Sequence, residues 1–154
     1  MALREIRIEG DPCLRKICRP VEKIDAKLQT LIDDMFDTMY EANGVGLAAP
    51  QVGMLRRMFV IDVGEDPWVF INPHIEETKG EIEDTEGCLS SPGEFGKVIR
   101  PQEVTVTALD RNGEEFTLHT DDPLFARAIC HENDHLDGKL FKDIVTRMMT
   151  EDEL

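Results

Sequence analysis

Asp122-Pro123-Leu124-Phe125-Ala126-Arg127-Ala128-Ile129-Cys130-His131-Glu132-Asn133-Asp134-His135-Leu136-Asp137-Gly138 carries its own start and stop signals. Asp122 has a side chain suited to capping a helix. Pro123 fits the first helical position, where its missing N–H costs nothing, and Gly138 suits the left-handed residue beyond the last turn. Inside this helix Leu124, Ala128, His131 and His135 fall at i, i+4, i+7 and i+11, so both imidazoles share a stripe with apolar residues and point toward a core. Four helical positions advance about 400° and ~6 Å, which lets His131 and His135 grip one ion while Glu132 beside them handles a proton. An ordinary helix can also carry two packed histidines. Buried neutral imidazoles need hydrogen-bond partners, however, and no acid partner is evident in the sequence, so a metal explains the stripe more simply.

Outward from this helix, Asp25 reads as the cap of a second one, with Leu28, Leu31, Ile32, Met35, Phe36 and Met39 recurring at three- and four-residue spacing until Gly44. That spacing predicts an amphipathic helix over 26–42. Segments rich in β-branched and aromatic residues at 58–63, 68–72 and 98–100 read as strands. Val104, Val106 and Ala108 alternate with Thr105 and Thr107, and Asn112-Gly113 supplies left-handed residues for a tight turn before Phe116 and Leu118, which predicts a hairpin. The expected class is α+β: antiparallel strands and a hairpin packed around a central metal-binding helix, with an N-terminal amphipathic helix. No repeat or linker divides the chain, so residues 1–154 are expected to form one catalytic domain.

Composition narrows the function. The 154 residues suffice to bury a sizeable core, and no apolar run approaches the roughly 20 residues that a membrane helix needs. A net charge of −15 spread over both halves argues against binding nucleic acid directly, because counterion release requires clustered Lys and Arg. The N-terminus lacks the apolar core of a secretion signal, which points to the cytoplasm. Cys13, Cys18, Cys88 and Cys130 form no Cys-x-x-Cys pair, so each is a small buried residue or a metal ligand.

A catalytic ion needs a third protein ligand and an open position. Candidates are Cys88, Cys130, His74, His119 and several carboxylates. Cys130 is turned about 100° around the helix from His131, which disfavours it. Cys88 lies in Glu86-Gly87-Cys88-Leu89-Ser90-Ser91-Pro92-Gly93, a sharply bending segment of the kind that holds ligands. A third dense segment is Gly44-Val45-Gly46-Leu47-Ala48-Ala49-Pro50-Gln51. Its glycines can cap the preceding helix, but Gly46 also allows close approach of a backbone, and the Gln51 amide can donate to a developing oxyanion.

Together, Gly44-Val45-Gly46-Leu47-Ala48-Ala49-Pro50-Gln51, Glu86-Gly87-Cys88-Leu89-Ser90 and His131-Glu132-Asn133-Asp134-His135-Leu136 resemble the three motifs of the peptide deformylases, in that family's order. The resemblance implies a metal-dependent hydrolase that removes the formyl group from formylmethionyl nascent peptides and releases formate. It implies Cys88, His131 and His135 as metal ligands, Glu132 as the catalytic carboxylate, and Gln51 with the Leu89 backbone N–H as the oxyanion site. Gly46 and Gly87 would hold the peptide backbone, while Val45, Glu86, Leu124 and Ala128 border the methionine pocket. The implied cofactor is one divalent ion, Fe2+ natively, with Zn2+ or Ni2+ as substitutes. The implied setting is a bacterial cytoplasm, with transient encounters at the ribosome.

Three positions depart from common family patterns. Asp84 stands where an apolar pocket residue is frequent, Phe95 where some members have arginine, and Cys130 where glutamine is common. Asp134 is a candidate for orienting a ligand imidazole. Two other readings remain to be separated from this one: a zinc endopeptidase, which shares the His-Glu-x-x-His arrangement, and a structural-metal or thiol redox module.

Overall fold

The computed structural model describes residues 2–154. It is an α+β arrangement of two helices and two antiparallel sheets. Helix α1 spans Ala26–Glu41, and the Asp25 side chain accepts from Leu28 N at 3.0 Å, as the capping pattern predicts. Its end is a Schellman turn in which Gly44 N donates to Met39 O and Asn43 N to Tyr40 O. The left-handed residue there is Asn43, with φ 57°, not a glycine. Gly44 is small for another reason: a Cβ would lie 2.7 Å from Leu89 Cδ1.

Strand β1 (Gly46–Ala48), β2 (Met58–Ile61) and β3 (Trp68–Lys79) lead into the larger sheet. Next, β4 (Ile82–Cys88) and β5 (Ser91–Arg100) form a hairpin of their own. Strands β6 (Glu103–Leu109) and β7 (Glu115–Thr120) complete the larger sheet, whose order is β1-β2-β3-β6-β7. Helix α2 spans Pro123–Leu136, and β8 (Arg147–Met148) joins the smaller sheet in the order β4-β5-β8.

Every residue of β2 is buried because the larger sheet is covered on both faces. Met58 and Val60 pack with Leu28, Leu31, Ile32 and Met35 of α1. Phe59 and Ile61 pack instead with Phe125, Ala126 and Ile129 of α2. The alternation of side chains along a strand is thus used twice, and a continuous apolar run is its sequence signature. Phe59 and Phe70 stack with ring centroids 4.8 Å apart on the α2 side, a contact of about 0.5–1.5 kcal/mol beyond area burial.

Several boundaries differ from the sequence expectations. β3 does not stop at Asn72-Pro73. Asn72 takes φ 51°, its side chain bonds Val21 N and Val21 O, and the strand resumes after a register shift between Ile71 and His74. β1 and β4 were not foreseen, and β5 extends well upstream of Val98. In the β6–β7 turn Gly113 alone is left-handed, with φ 82°; Asn112 is not. The organiser is Asp110, whose carboxylate accepts from Asn112 N and Glu114 N, giving a turn closed by one glycine rather than two left-handed residues.

Candidate active site

Helix α2 begins at the Asp122 cap, which accepts from Leu124 N at 3.0 Å, and ends in a Schellman turn at Gly138, φ 73°. Between these caps His131 and His135 are 7% and 1% exposed. Their rings lie 5.0 Å apart between centroids. Cys88 ends β4 at the tip of the β4–β5 hairpin, and its Sγ is 3.3 Å from His135 Nε2. One ligand atom from each of Cys88, His131 and His135 lies within 4.8 Å of the others, a spacing that one ion can bridge. Cys130, by contrast, is packed among the apolar residues beneath the larger sheet, and burial pushes its thiol up to about 11.

The acid partner missing from the local sequence comes from β4. Glu86 accepts from His131 Nδ1 at 2.5 Å, which leaves Nε2 to face an ion. Arg100 binds the same carboxylate through Nε and Nη2, and Arg127 binds it through Nη1. Burial opposes ionisation of Glu86, but His131 and Arg100 outweigh it and hold the carboxyl below its usual range. Asp134 bonds Arg100 Nη1 at 2.7 Å instead of an imidazole, so the role considered for Asp134 belongs geometrically to Glu86.

Gln51 is fixed on both sides. Its Oε1 accepts from Ala48 N at 2.9 Å, and its Nε2 donates to Ser90 Oγ at 3.1 Å and approaches Cys88 Sγ at 3.5 Å. The amide is therefore oriented with its N–H groups toward the thiol. Glu132 is 5% exposed, and its Oε2 abuts Gly46 so closely that a Cβ there would lie 2.6 Å away. Burial pushes the Glu132 carboxyl up to about 7, against an opposing pull from His131.

Two buried atoms at this centre, Glu132 Oε1 and His135 Nδ1, have no hydrogen-bond partner among the described residues. Burial and the neighbouring His131 hold the His135 imidazole well below its ordinary range. At His131 burial also acts downward, but Glu132, Cys88 and Glu86 together keep it well above its ordinary range. Surroundings that favour a proton on His131 favour a cation in its place. A thiolate, two imidazoles and an adjacent carboxylate are thus a donor set that fits a divalent ion.

All of these groups except His135 line one cleft of about 440 Å³, together with Val45, Gly46, Gly87, Leu89, Leu124 and Ala128. Leu124, expected to point inward with the histidines, is 49% exposed and sits on the rim. Arg127, which also lines the cleft, was not singled out in the sequence. Arg127 had a signal, since it lies four residues before His131 on the same helical face. Phe95, marked in the sequence as a departure from the family pattern, reaches the cleft by lying over Gly87, where a Cβ would be 2.6 Å from Phe95 Cε1.

The polypeptide deformylase family model matches residues 3–151. Peptide deformylase 1 of Clostridium acetobutylicum is 62% identical over 143 residues, covering 93% of this chain and 95% of that protein. The peptide deformylase of Caldicellulosiruptor bescii is 56% identical across the whole chain and 92% of its own length. Among solved structures, a peptide deformylase from Legionella pneumophila superposes with a TM-score of 0.91 at 50% identity, covering 94% of this chain and 87% of that one. One from Synechococcus elongatus, in complex with actinonin, gives 0.89 at 44% identity, covering 92% and 80%. With this similarity running through both sheets and the cleft between them, the chain belongs to the polypeptide deformylase family.

Proposed function

We propose that the chain hydrolyses the formyl group from the N-terminus of formylmethionyl peptides, at a divalent ion held by Cys88, His131 and His135. The observation that carries this is the convergence of three ligand atoms within 4.8 Å beside a buried carboxylate and an oriented amide. When bound, the ion lowers the pKa of a water and polarises the formyl oxygen. Glu132 takes the proton from that water as its oxygen joins the formyl carbon, and later delivers the proton to the departing amine as the C–N bond breaks. Gln51 Nε2 and the Leu89 backbone N–H donate to the oxygen that becomes negative. The products are formate and a free N-terminal amine.

The substrate backbone has two free strand edges to bond. β1 is an outer strand of the larger sheet and β4 an outer strand of the smaller one, and Gly46 and Gly87 line the cleft between them. Val45, Glu86, Leu124 and Ala128 form the walls for the methionine side chain. Fe2+ is the proposed native ion; the same donors accept Zn2+ or Ni2+. The proposed setting is a bacterial cytoplasm, on nascent chains; no helix among the described residues is long and apolar enough to cross a membrane. Encounter with the ribosome is proposed to be transient; β8 pairs with β5, and Arg147 is paired with Glu153.

The test is formate release from formyl-Met-Ala-Ser by anaerobically purified protein, with metal content measured and a chelator added in parallel. Chelator-sensitive release supports the reading. A metal-loaded protein that leaves the peptide formylated, or that cleaves casein, removes it.

A further inference from the structure

Four charged side chains lie behind His131: Glu86, Asp134, Arg100 and Arg127. Arg100 is divided between two carboxylates, reaching Glu86 Oε2 through Nη2 at 2.7 Å and Asp134 Oδ2 through Nη1 at 2.7 Å. One guanidinium facing two carboxylates leaves an excess negative charge, and charge out of water is costly unless it is paired. Arg127 supplies the missing cation, donating from Nη1 to Glu86 Oε1 at 3.0 Å. It is itself 9% exposed. Its remaining contacts are backbone carbonyls, Val98 O at 2.9 Å and Ile82 O at 2.8 Å.

These contacts join two parts of the centre that have no covalent link near it. Arg127 and His131 stand one turn apart on the same face of α2, and both reach Glu86. Ile82 opens β4, opposite Arg100, and Val98 of β5 is paired with Asp84, so the carbonyl bonds hold the base of the hairpin whose tip carries Cys88. We infer that Arg127 is a positioning residue for the metal centre: through Glu86 it sets the ring orientation and donor tautomer of His131, and through the two carbonyls it fixes the Cys88 hairpin against the histidine helix. This rests on the assignment of Cys88, His131 and His135 as ligands.

The test is the rate at which Zn2+-loaded protein releases its ion to a chelator, with the Co2+-substituted absorption spectrum recorded alongside. Arg127→Met should release Zn2+ roughly 10–100-fold faster and alter the thiolate–Co2+ band. Arg127→Lys, which keeps the cation, should recover most of the slow release. In a Glu86→Gln background the Arg127→Met change should accelerate release by a smaller factor than it does alone, the remainder being the share carried by the two carbonyl bonds. Release from Arg127→Met at the wild-type rate overturns the inference, and so does equal acceleration with and without Glu86. If Arg127→Met does not fold, Arg127→Gln against Arg127→Lys gives the same contrast: equal release from both removes the role of charge. Cys88→Ser is the control on the ligands. Wild-type Zn2+ retention by that variant discredits the ligand assignment itself, whatever Arg127 does.

Discussion

Gly46 and Glu132 are in such close contact that a Cβ on the glycine would lie 2.6 Å from Oε2 of the glutamate. Neither can easily give way. Gly46 is paired with Ile61 across the β1–β2 ladder, and Asp62 N donates to Val45 O at 2.9 Å, while Glu132 is buried on α2. Gly46→Ala should therefore displace the carboxylate and leave the ligands in place. An error of about 1 Å at a proton-transferring group costs up to ~100-fold in rate. The expected result is kcat down by roughly 10–100-fold with metal content unchanged. A kcat near wild type would mean that Glu132 does not act from this position.

Glu132→Gln keeps the shape of the side chain and removes its ability to accept a proton. Loss of a general base costs about 10²–10⁴ in rate. Formate release should fall by that factor while the ion remains bound, because Glu132 is not among the three ligand atoms. Metal loss equal to that of a ligand variant would place Glu132 in the coordination sphere instead.

The helix that carries these residues was legible because its signals are local: Asp122-Pro123 at the start, Gly138 at the end, and a periodic stripe between them. The same holds for α1 and for the β6–β7 hairpin. β4 was not legible. Ile82-Glu83-Asp84-Thr85-Glu86-Gly87-Cys88 is poor in strand-forming residues, and it is a strand because β5 pairs with it throughout. Glu86 is on that strand, so the acceptor for His131 could not be found by looking near the histidines. The resemblance supplied Cys88, Gln51 and Glu132 by position, but the two arginines that bind Glu86 emerge only when the hairpin is folded against α2.

The single tyrosine, which does not line the cleft, offers a pH test. Tyr40 OH donates to Asp62 Oδ2 at 2.6 Å, and burial together with this bond pushes the hydroxyl up to about 12. Asp62 is held below its usual range by the same hydroxyl and by Gly64 N–H. The tyrosine proton is bound more tightly in the folded state, so its contribution to stability is complete below about pH 10 and fades as pH rises through the folded value. For Asp62 the contribution is complete above about pH 4 and fades as pH falls. Tyrosinate absorbance should titrate near 12 in the wild type and move toward about 10 in Asp62→Asn. Identical titrations, with circular dichroism unchanged, would show the bond absent in solution.

Cys88 and Cys130 set a proposed ligand against a packing residue of the same chemistry. Cys88 Sγ faces His135 Nε2 and Gln51 Nε2 at the edge of the cleft. Cys130 is 7% exposed among apolar side chains, with a thiol that burial pushes up to about 11 and therefore keeps protonated at neutral pH. Cys88→Ser exchanges a soft thiolate for a poor donor and should lower metal content and activity together. Cys130→Ser should keep the ion and most of the activity but lose stability, because it puts a more polar hydroxyl in place of a thiol among buried apolar side chains, at a cost of about 1–3 kcal/mol. Metal analysis and thermal unfolding of the two variants side by side decide this. Equal metal loss from both would mean that the face of α2 bearing Cys130 supports the ion, and the ligand set would have to be redrawn around the helix.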